Sequence, residues 1–497
     1  MNLAGIQALL PLILTAYGGA VLMTLTAFVR SRRFAFGFTV AVLIAAFVSI
    51  FFTPKQWPVT PTPLIVIDAY SRYFAGLILI SSILVTLLCQ RYVQSGMGRD
   101  YKSRPIPGGR GAPLYVLVLF ATAGMITIAA SVHFVSFFLG LETLSISLYG
   151  LIGYTRRRKQ SLEGAIKYLV LAATASAFLL FGMALIYAET GTMHFGSIAL
   201  PLASGHGSLA AYLGMVLVVV AIGFKLAFVP FHMWSPDVYQ GAPAPITALI
   251  STGSKGAVLA LLLRLVYTTG LGARPSLFLI LAVLSVATMT VGNLLALLQS
   301  NVKRLLAYSS IAHMGYLIIP LLAGPPIGPS SIAFYLASYF ATNIAAFGVI
   351  SALSIPPGMI PGGMESGDLE ELDDYRGLAH RNPLLAATFA LALLSLTGIP
   401  LTSGFFAKLY IFSAAAQSGL WTLLIIAVIN SGISAFYYLR VLIAMYTRTD
   451  ADLPPFPAPG AAASIALGFP VAVIVFFGVY PSPLVRLAEA ATRLIAP

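Results

Sequence analysis

Apolar stretches of roughly 18 to 25 residues, long enough to cross a hydrocarbon core, follow one another from end to end of the chain. Short polar or Pro/Gly-rich connections separate them. This pattern predicts fourteen helical spans, at 5–29, 36–53, 70–93, 114–130, 133–153, 162–188, 209–239, 243–267, 276–299, 304–323, 329–354, 384–419, 421–446 and 460–480. Two of them are too long for one crossing and contain breakers: Pro230 in the first, and Gly398, Pro400 and Gly404 in the second. Both are expected to be discontinuous helices, which persist at membrane depth only where protein or a hydrated cavity satisfies the freed backbone groups. The expected fold is an all-α polytopic membrane protein of about fourteen transmembrane helices. The first stretch, Leu3 to Val29, lacks a small-residue cleavage site and reads as the first span, not as a removed signal peptide.

The two breaks lie five spans apart. A five-helix unit at 114–267 is therefore expected to recur, inverted, at 276–446, as in transporters whose broken helices meet near the midplane. Residues 1–113 then form an N-terminal three-helix segment, and 447–497 a C-terminal helix and tail.

Composition narrows the picture. Hydrophobic residues make up 59% of the chain and charged residues 9%, with a mean hydropathy of +0.93, which leaves no room for a soluble catalytic domain. The net charge of +13 does not point to nucleic acid, because a basic binding face needs a solvated surface that this chain lacks. The basic residues instead sort by side when both termini are placed outside. One face receives Arg30, Arg32, Arg33, Arg91, Arg99, Lys102, Arg104, Arg110, Arg156 through Lys159, Lys303, Arg304, Arg376, Arg381, Arg440 and Arg448. The other receives only Lys55, Arg72, Arg264, Arg274, Arg486 and Arg493. That bias marks the first face as cytoplasmic in a bacterial inner membrane. An acidic run from Glu365 to Asp374 falls on the same face; it reads as a solvated connecting loop, with docking of a soluble partner as the alternative. Cys89 is the only cysteine, which excludes an internal disulfide, a cysteine-ligated iron–sulfur cluster and a thiolate zinc site. No Walker loop or nucleotide fingerprint is present, and no pair of histidines is matched for haem.

Four cations remain inside the spans, and all are lysines: Lys167, Lys225, Lys255 and Lys408. Arginine stays protonated in any protein setting, whereas a desolvated lysine can release its proton. A charge at the helix centre costs about 3 kcal/mol on insertion scales, so several in one chain imply a compensating role. Lys225, Lys255 and Lys408 lie at central depth, while Lys167 is five residues into its span and close enough to the cytoplasmic end to snorkel. Glu142 is the one acid placed mid-span, and Lys225 is its natural partner. A carboxylate that approaches and withdraws would make the pair a two-state proton switch; a static pair that fixes helix packing is the alternative. His232, beside the Pro230 break, and His313 are candidates for proton relay or, equally, hydrogen-bonded core residues. Asp68, Glu163 and Glu189 sit near span ends and read as interfacial.

Several runs carry a family resemblance. They are Phe224 through Pro245, which contains Lys225, Pro230, His232 and Asp237; Ser254-Lys255-Gly256; Leu141-Glu142-Thr143; Ala165-Ile166-Lys167-Tyr168; Asn301 through His313; and Gly398-Ile399-Pro400 through Lys408. Together they resemble the antiporter-like subunits of respiratory complex I, and Asp237 through Pro243 is similar to the N group among them. The resemblance implies a fourteen-helix subunit of the membrane arm of a proton-pumping NADH:quinone oxidoreductase, a translocase subunit with no redox centre of its own. By matching position it makes Glu142 and Lys225 the switching pair, Lys255 the central relay and Lys408 the exit-side carrier. NADH, FMN, iron–sulfur clusters and quinone would belong to partner subunits. The implied neighbours are an M-type antiporter-like subunit and small K-, J- and A-type subunits within the bilayer. A subunit of a multisubunit cation/proton antiporter is the first alternative, and a free-standing solute transporter the second.

Overall fold

The computed structural model describes residues 3–52, 58–94, 111–155, 158–198, 209–270, 275–354, 368–448, 456 and 458–493. Among the described residues, thirteen helices are long and apolar enough to cross a membrane. The N-terminal segment consists of α1 (Leu3–Phe28), α2 (Arg32–Ser49), a hairpin of β1 (Val59–Thr62) and β2 (Ile65–Ile67), and α3 (Ala69–Gln94). Next come α4 (Ala112–Ala130), α5 (Phe134–Ile152), α6 (Lys159–Thr190), α7 (Leu209–Leu226), the short α8 (Trp234–Gly241) and α9 (Ala244–Thr269). The remainder holds α10 (Pro275–Leu297), α11 (Val302–Ala323), α12 (Ile327–Leu353), α13 (Pro383–Thr397), α14 (Ser403–Gln417), α15 (Trp421–Tyr446), α16 (Ala461–Val479) and α17 (Ser482–Thr492).

Helix ends follow local chemistry. Asn301 caps α11 by accepting from the Arg304 N–H at 3.0 Å, and Asn382 caps α13 just before Pro383 at its first turn. Helices α9, α11 and α12 are enclosed by protein along nearly their whole apolar length, whereas α1, α2, α6, α15 and α16 turn most of theirs outward. The enclosed three form the axis of the molecule. Helices α10 and α11 meet at glycines: a Cβ on Gly292 would stand 2.7 Å from the Ala312 nitrogen, and one on Gly315 2.6 Å from that of Met289. Close backbone approach of this kind drives helix association where water supplies no hydrophobic force.

Both expected breaks are present. Residues 227–233 separate α7 from α8, and 398–402 separate α13 from α14, which together make the fourteenth span. At the first break, Trp234 Nε1 donates to the Phe224 carbonyl at 2.8 Å, and the Val229 N–H donates to Thr288 Oγ1 at 3.0 Å. At the second, Gly398 has φ +89°, and a Cβ on Gly404 would lie 1.9 Å from the Ser395 carbonyl oxygen. A third irregularity was not expected: residues Ile250–Ser254 of α9 form a π-helical turn just before Lys255. The hairpin and α17 were also not expected. The hairpin's turn accepts from the Val132 N–H and the Ser136 hydroxyl, at 3.2 and 2.7 Å, through the Leu64 carbonyl.

Three charge assignments change. Arg264 is not in a loop but buried near the end of α9, bonded through both terminal nitrogens to Asp68 at 2.9 and 3.0 Å, so one arginine does lie inside and Asp68 is its partner. Lys303 is fully enclosed, donating to Asp368 at 2.7 Å and to the carbonyls of Gln240 and Ala242 at 2.9 and 2.7 Å. The acidic run is not all a solvated loop. Asp368 also accepts from the Ala244 N–H and the Ser354 hydroxyl, and Glu370 pairs with Arg158 at 2.6 Å. Only its further part, with Asp373 paired to Arg376, is exposed. Glu365, and the cations Lys55, Arg99, Lys102, Arg104, Arg110, Arg156, Arg157 and Arg274, lie outside the described residues.

Burial alone would raise the Glu370 carboxyl, but Lys303 and Arg158 hold it below the ordinary carboxylate value. A depressed folded value means that the tie stabilises at neutral pH and weakens as pH falls through the carboxylate range. Thermal unfolding of wild type and Glu370→Gln is expected to differ at pH 7 and to converge in acid. Gly404→Ala forces a methyl against backbone and is expected to cost about 2 kcal/mol or more, read as a lowered unfolding temperature or failed assembly.

Candidate functional site

Lys225 occupies the last turn of α7, at the end where the helix dipole is negative. It is buried, donating to Ser145 Oγ of α5 at 2.8 Å and Tyr168 OH of α6 at 2.7 Å, with its ammonium 4.9 Å from the Tyr168 ring centre. Tyr168 is fixed in turn by Trp234, 5.0 Å away between ring centres. The same tryptophan that closes the break thus positions the lysine's partner.

Lys255 follows the π turn and is buried. It donates to Ser310 Oγ of α11 at 2.7 Å and sits 5.4 Å from the Tyr239 ring centre. Ser310 also accepts from Tyr339 OH of α12 at 2.7 Å, and Tyr239 OH lies 3.1 Å away. With both lone pairs taken by Lys255 and Tyr339, the serine's own proton is directed to Tyr239. One turn along α11, His313 bonds through Nδ1 to Tyr335 OH and through Nε2 to Tyr438 OH, the latter at 3.2 Å. Tyr438 bonds Ser309 as well.

Lys408, in the first turns of α14, donates to the Thr397 carbonyl at 2.8 Å, freed by the end of α13, and to Ser431 Oγ of α15 at 2.9 Å. Its ammonium is 5.6 Å from the Tyr316 ring centre. A cavity of ≈ 10 Å³ lies between Lys408 and His313, lined also by Tyr335, Ser338, Tyr339 and Thr342. That is at the lower limit for one water molecule. Lys255, Ser310, Tyr339, His313 and Lys408 therefore form one polar line along the axis.

Two expected members stand differently. Glu142 is half-buried on α5, one turn from Ser145, and accepts from the Ser176 hydroxyl. It is not in ion-pair contact with Lys225, which it reaches only through its field. Lys167 is 43% exposed and paired with Glu163 at 2.7 Å and Asp237 at 2.6 Å, in keeping with a side chain that reaches the membrane edge. His232 is buried at the break, and neither ring nitrogen has a partner of good geometry, the Pro230 carbonyl offering only a marginal one. The buried Ser235 hydroxyl, three residues on, is likewise without a well-placed partner. Unsatisfied groups of this kind are rare in protein interiors and cluster where water is handled.

Sequence reasoning missed Ser145, Tyr168, Ser310, Tyr335, Tyr339 and Tyr438. A signal was available for some: Ser145 is three residues from Glu142, and Ser310 three from His313, which puts each pair on one helix face. Asp237 was missed as a junction; it holds Lys167 and, at 2.7 Å, Arg304.

Residues 131–434 match the family described as NADH:quinone oxidoreductase/Mrp antiporter, transmembrane. The chain is 43% identical over 488 residues to the NADH-quinone oxidoreductase subunit N of Ectopseudomonas mendocina, covering 97% of this chain and 96% of that one. It is 41% identical over 493 residues to the subunit N of Methylococcus capsulatus, covering 98% and 95%. Among solved structures it is similar to a chain of respiratory complex I from Thermus thermophilus with bound aureothin, at a TM-score of 0.79 and 34% identity over 96% of this chain and 99% of that one. With the two broken helices and the buried lysines beside them, these likenesses establish that the chain belongs to the N-type, antiporter-like membrane subunits of NADH-quinone oxidoreductase.

Proposed function

We propose that this subunit carries protons through Lys225, Lys255 and Lys408, and so couples electron transfer from NADH to quinone to proton translocation. The observation that supports it most is the partnering of these lysines. Each donates only to neutral oxygens, and none has a carboxylate at ion-pairing distance among the described residues. A cation kept only for packing would be expected beside a counter-ion, because an uncompensated buried charge is costly. Neutral hydroxyl and carbonyl partners instead suit a group that exists in both charged and uncharged forms.

In this reading Lys225 loads in the first half, and movement of Glu142 toward or away from it gates its proton. His232 and Ser235 mark the point where water enters the break. Lys255 passes protons through Ser310 and Tyr339 to His313, and Lys408 receives them across the small cavity. Lys167 serves at the membrane edge through Asp237. Residues 114–267 and 276–446 act as two inverted copies, each with a lysine at its broken helix. Quinone chemistry, NADH, FMN and iron–sulfur clusters are assigned to partner subunits, since one cysteine cannot hold a cluster. The neighbours are an M-type subunit and small K-, J- and A-type subunits. The setting is a bacterial inner membrane with both termini outside.

The first test is NADH-driven proton uptake and quinone reduction in vesicles carrying Lys225→Ala, with assembly of the complex verified. Both rates are expected to fall about tenfold or more; wild-type rates of both would mean that Lys225 only fills space. A second test separates charge from proton release. Lys255→Arg keeps the cation but cannot give up its proton, so pumping is expected to be lost although the charge is retained. Retention of pumping by the arginine variant would contradict the role of Lys255 as a carrier.

A further inference from the structure

Helices α10 and α15 bury two side-chain amides that have no part in the line described above. Asn293 lies four residues from the end of α10, about 6 Å along the axis from the face that carries Arg158, Lys303, Arg304 and Arg440. Its Nδ2 donates to Tyr316 OH at 3.0 Å and to Asn430 Oδ1 at 3.1 Å, and its Oδ1 accepts from Tyr437 OH at 3.0 Å. Asn430 Nδ2 in turn donates to Thr290 Oγ1 at 3.3 Å and to the Ile426 carbonyl at 3.0 Å. All four amide hydrogens are engaged.

Hydroxyls lie on both sides of this pair. Toward the basic face are Tyr437 and Tyr438, with ring centres 4.4 Å apart, Ser309 bonded to Tyr438, and Arg440 one turn further along α15. On the inner side, Tyr316 lies beneath Lys408, and Ser431, next to Asn430 in the chain, accepts from that lysine. A hydroxyl accepts one proton and donates another, so it can pass charge along a hydrogen-bonded line. An amide cannot do so without becoming an imidic acid, because its donors and its acceptor are different atoms. Exchanging the assigned oxygen and nitrogen leaves this unchanged.

We propose that the Asn293–Asn430 pair is a proton barrier. It closes the direct path from the basic face through Tyr437 to Tyr316 and Lys408, and protons at Tyr438 reach Lys408 by way of His313. The inference rests on the proton-carrying reading of Lys408. Fixed donors that block proton hopping while leaving the surrounding polar path intact are a known physical device in pores. The barrier matters because a second path that bypassed His313 would let protons run back past any gate placed there.

The test uses the assembled complex in vesicles, with proton uptake and quinone reduction measured together. Asn293→Asp exchanges the amide for a carboxyl, which can take a proton on one oxygen and release it from the other. Loss of the proton gradient with quinone reduction retained is expected for Asn293→Asp, and for Asn430→Asp as an independent variant if the first does not assemble. Asn293→Leu, unable to carry a proton, is expected to keep the gradient. Equal behaviour of the Asp and Leu variants, both coupled or both uncoupled, overturns the barrier. Lys408→Ala is the reference: normal pumping there would defeat the proton-carrying reading itself, whereas loss of pumping there with a fully coupled Asn293→Asp would defeat only the barrier.

Discussion

An ammonium group inside a membrane protein has no water to fall back on, and every one of its hydrogens needs an oxygen from the protein itself. An unbroken helix offers few, since its carbonyls are spent on its own ladder. The chain meets this need by interrupting helices. The end of α13 frees the Thr397 carbonyl for Lys408, and the end of α7 brings Lys225 to the hydroxyls of Ser145 and Tyr168. The oxygens left over at the first break are not left open: Trp234 closes the Phe224 carbonyl and then packs on Tyr168. The breaks are thus what allows titratable amines to exist at this depth.

Charge is distributed by depth accordingly. At the basic face cations meet anions directly, as in Arg158–Glu370, Lys303–Asp368 and the junction of Asp237 with Lys167 and Arg304. Along the axis, cations meet only neutral groups. The paired region grips α8 from both sides, through Asp237 and through the Gln240 and Ala242 carbonyls held by Lys303. This anchors Tyr239, and with it one of the contacts around Ser310. Rigid ion pairs at the edge frame a centre whose charges have not been fixed by counter-ions.

Much of this was legible in the sequence because hydropathy and breakers act locally. The spans, the interruptions at Pro230 and at Gly398 to Gly404, and the isolation of Lys225, Lys255 and Lys408 in apolar surroundings needed no tertiary information. The difficult residues lie near helix ends. Arg264 and Lys303 are each within about two turns of a terminus, where a long side chain can reach outward or turn inward, and sequence does not distinguish the two. Asp368 and Glu370 likewise look like loop acids until the chain folds back onto Lys303. The tyrosines and asparagines around His313 were invisible for another reason: they carry no charge, and among 23 tyrosines spacing alone does not single out the few that converge. The separation of Glu142 from Lys225 depends on the relative rotation of α5 and α7, which no local pattern encodes.

The π turn at Ile250–Ser254 gives the length of α9 a meaning that its composition does not have. A π turn holds one residue more than the α-helical path it replaces. Removing any single residue from it would let the helix revert to regular geometry and rotate everything on one side by about 100° relative to the other. Lys255 would then face away from Ser310 although no side chain in either had changed. Over evolutionary time this stretch should accept replacements more readily than a change in residue number, so that an insertion or deletion here would mark a descendant that had given up the central lysine's task.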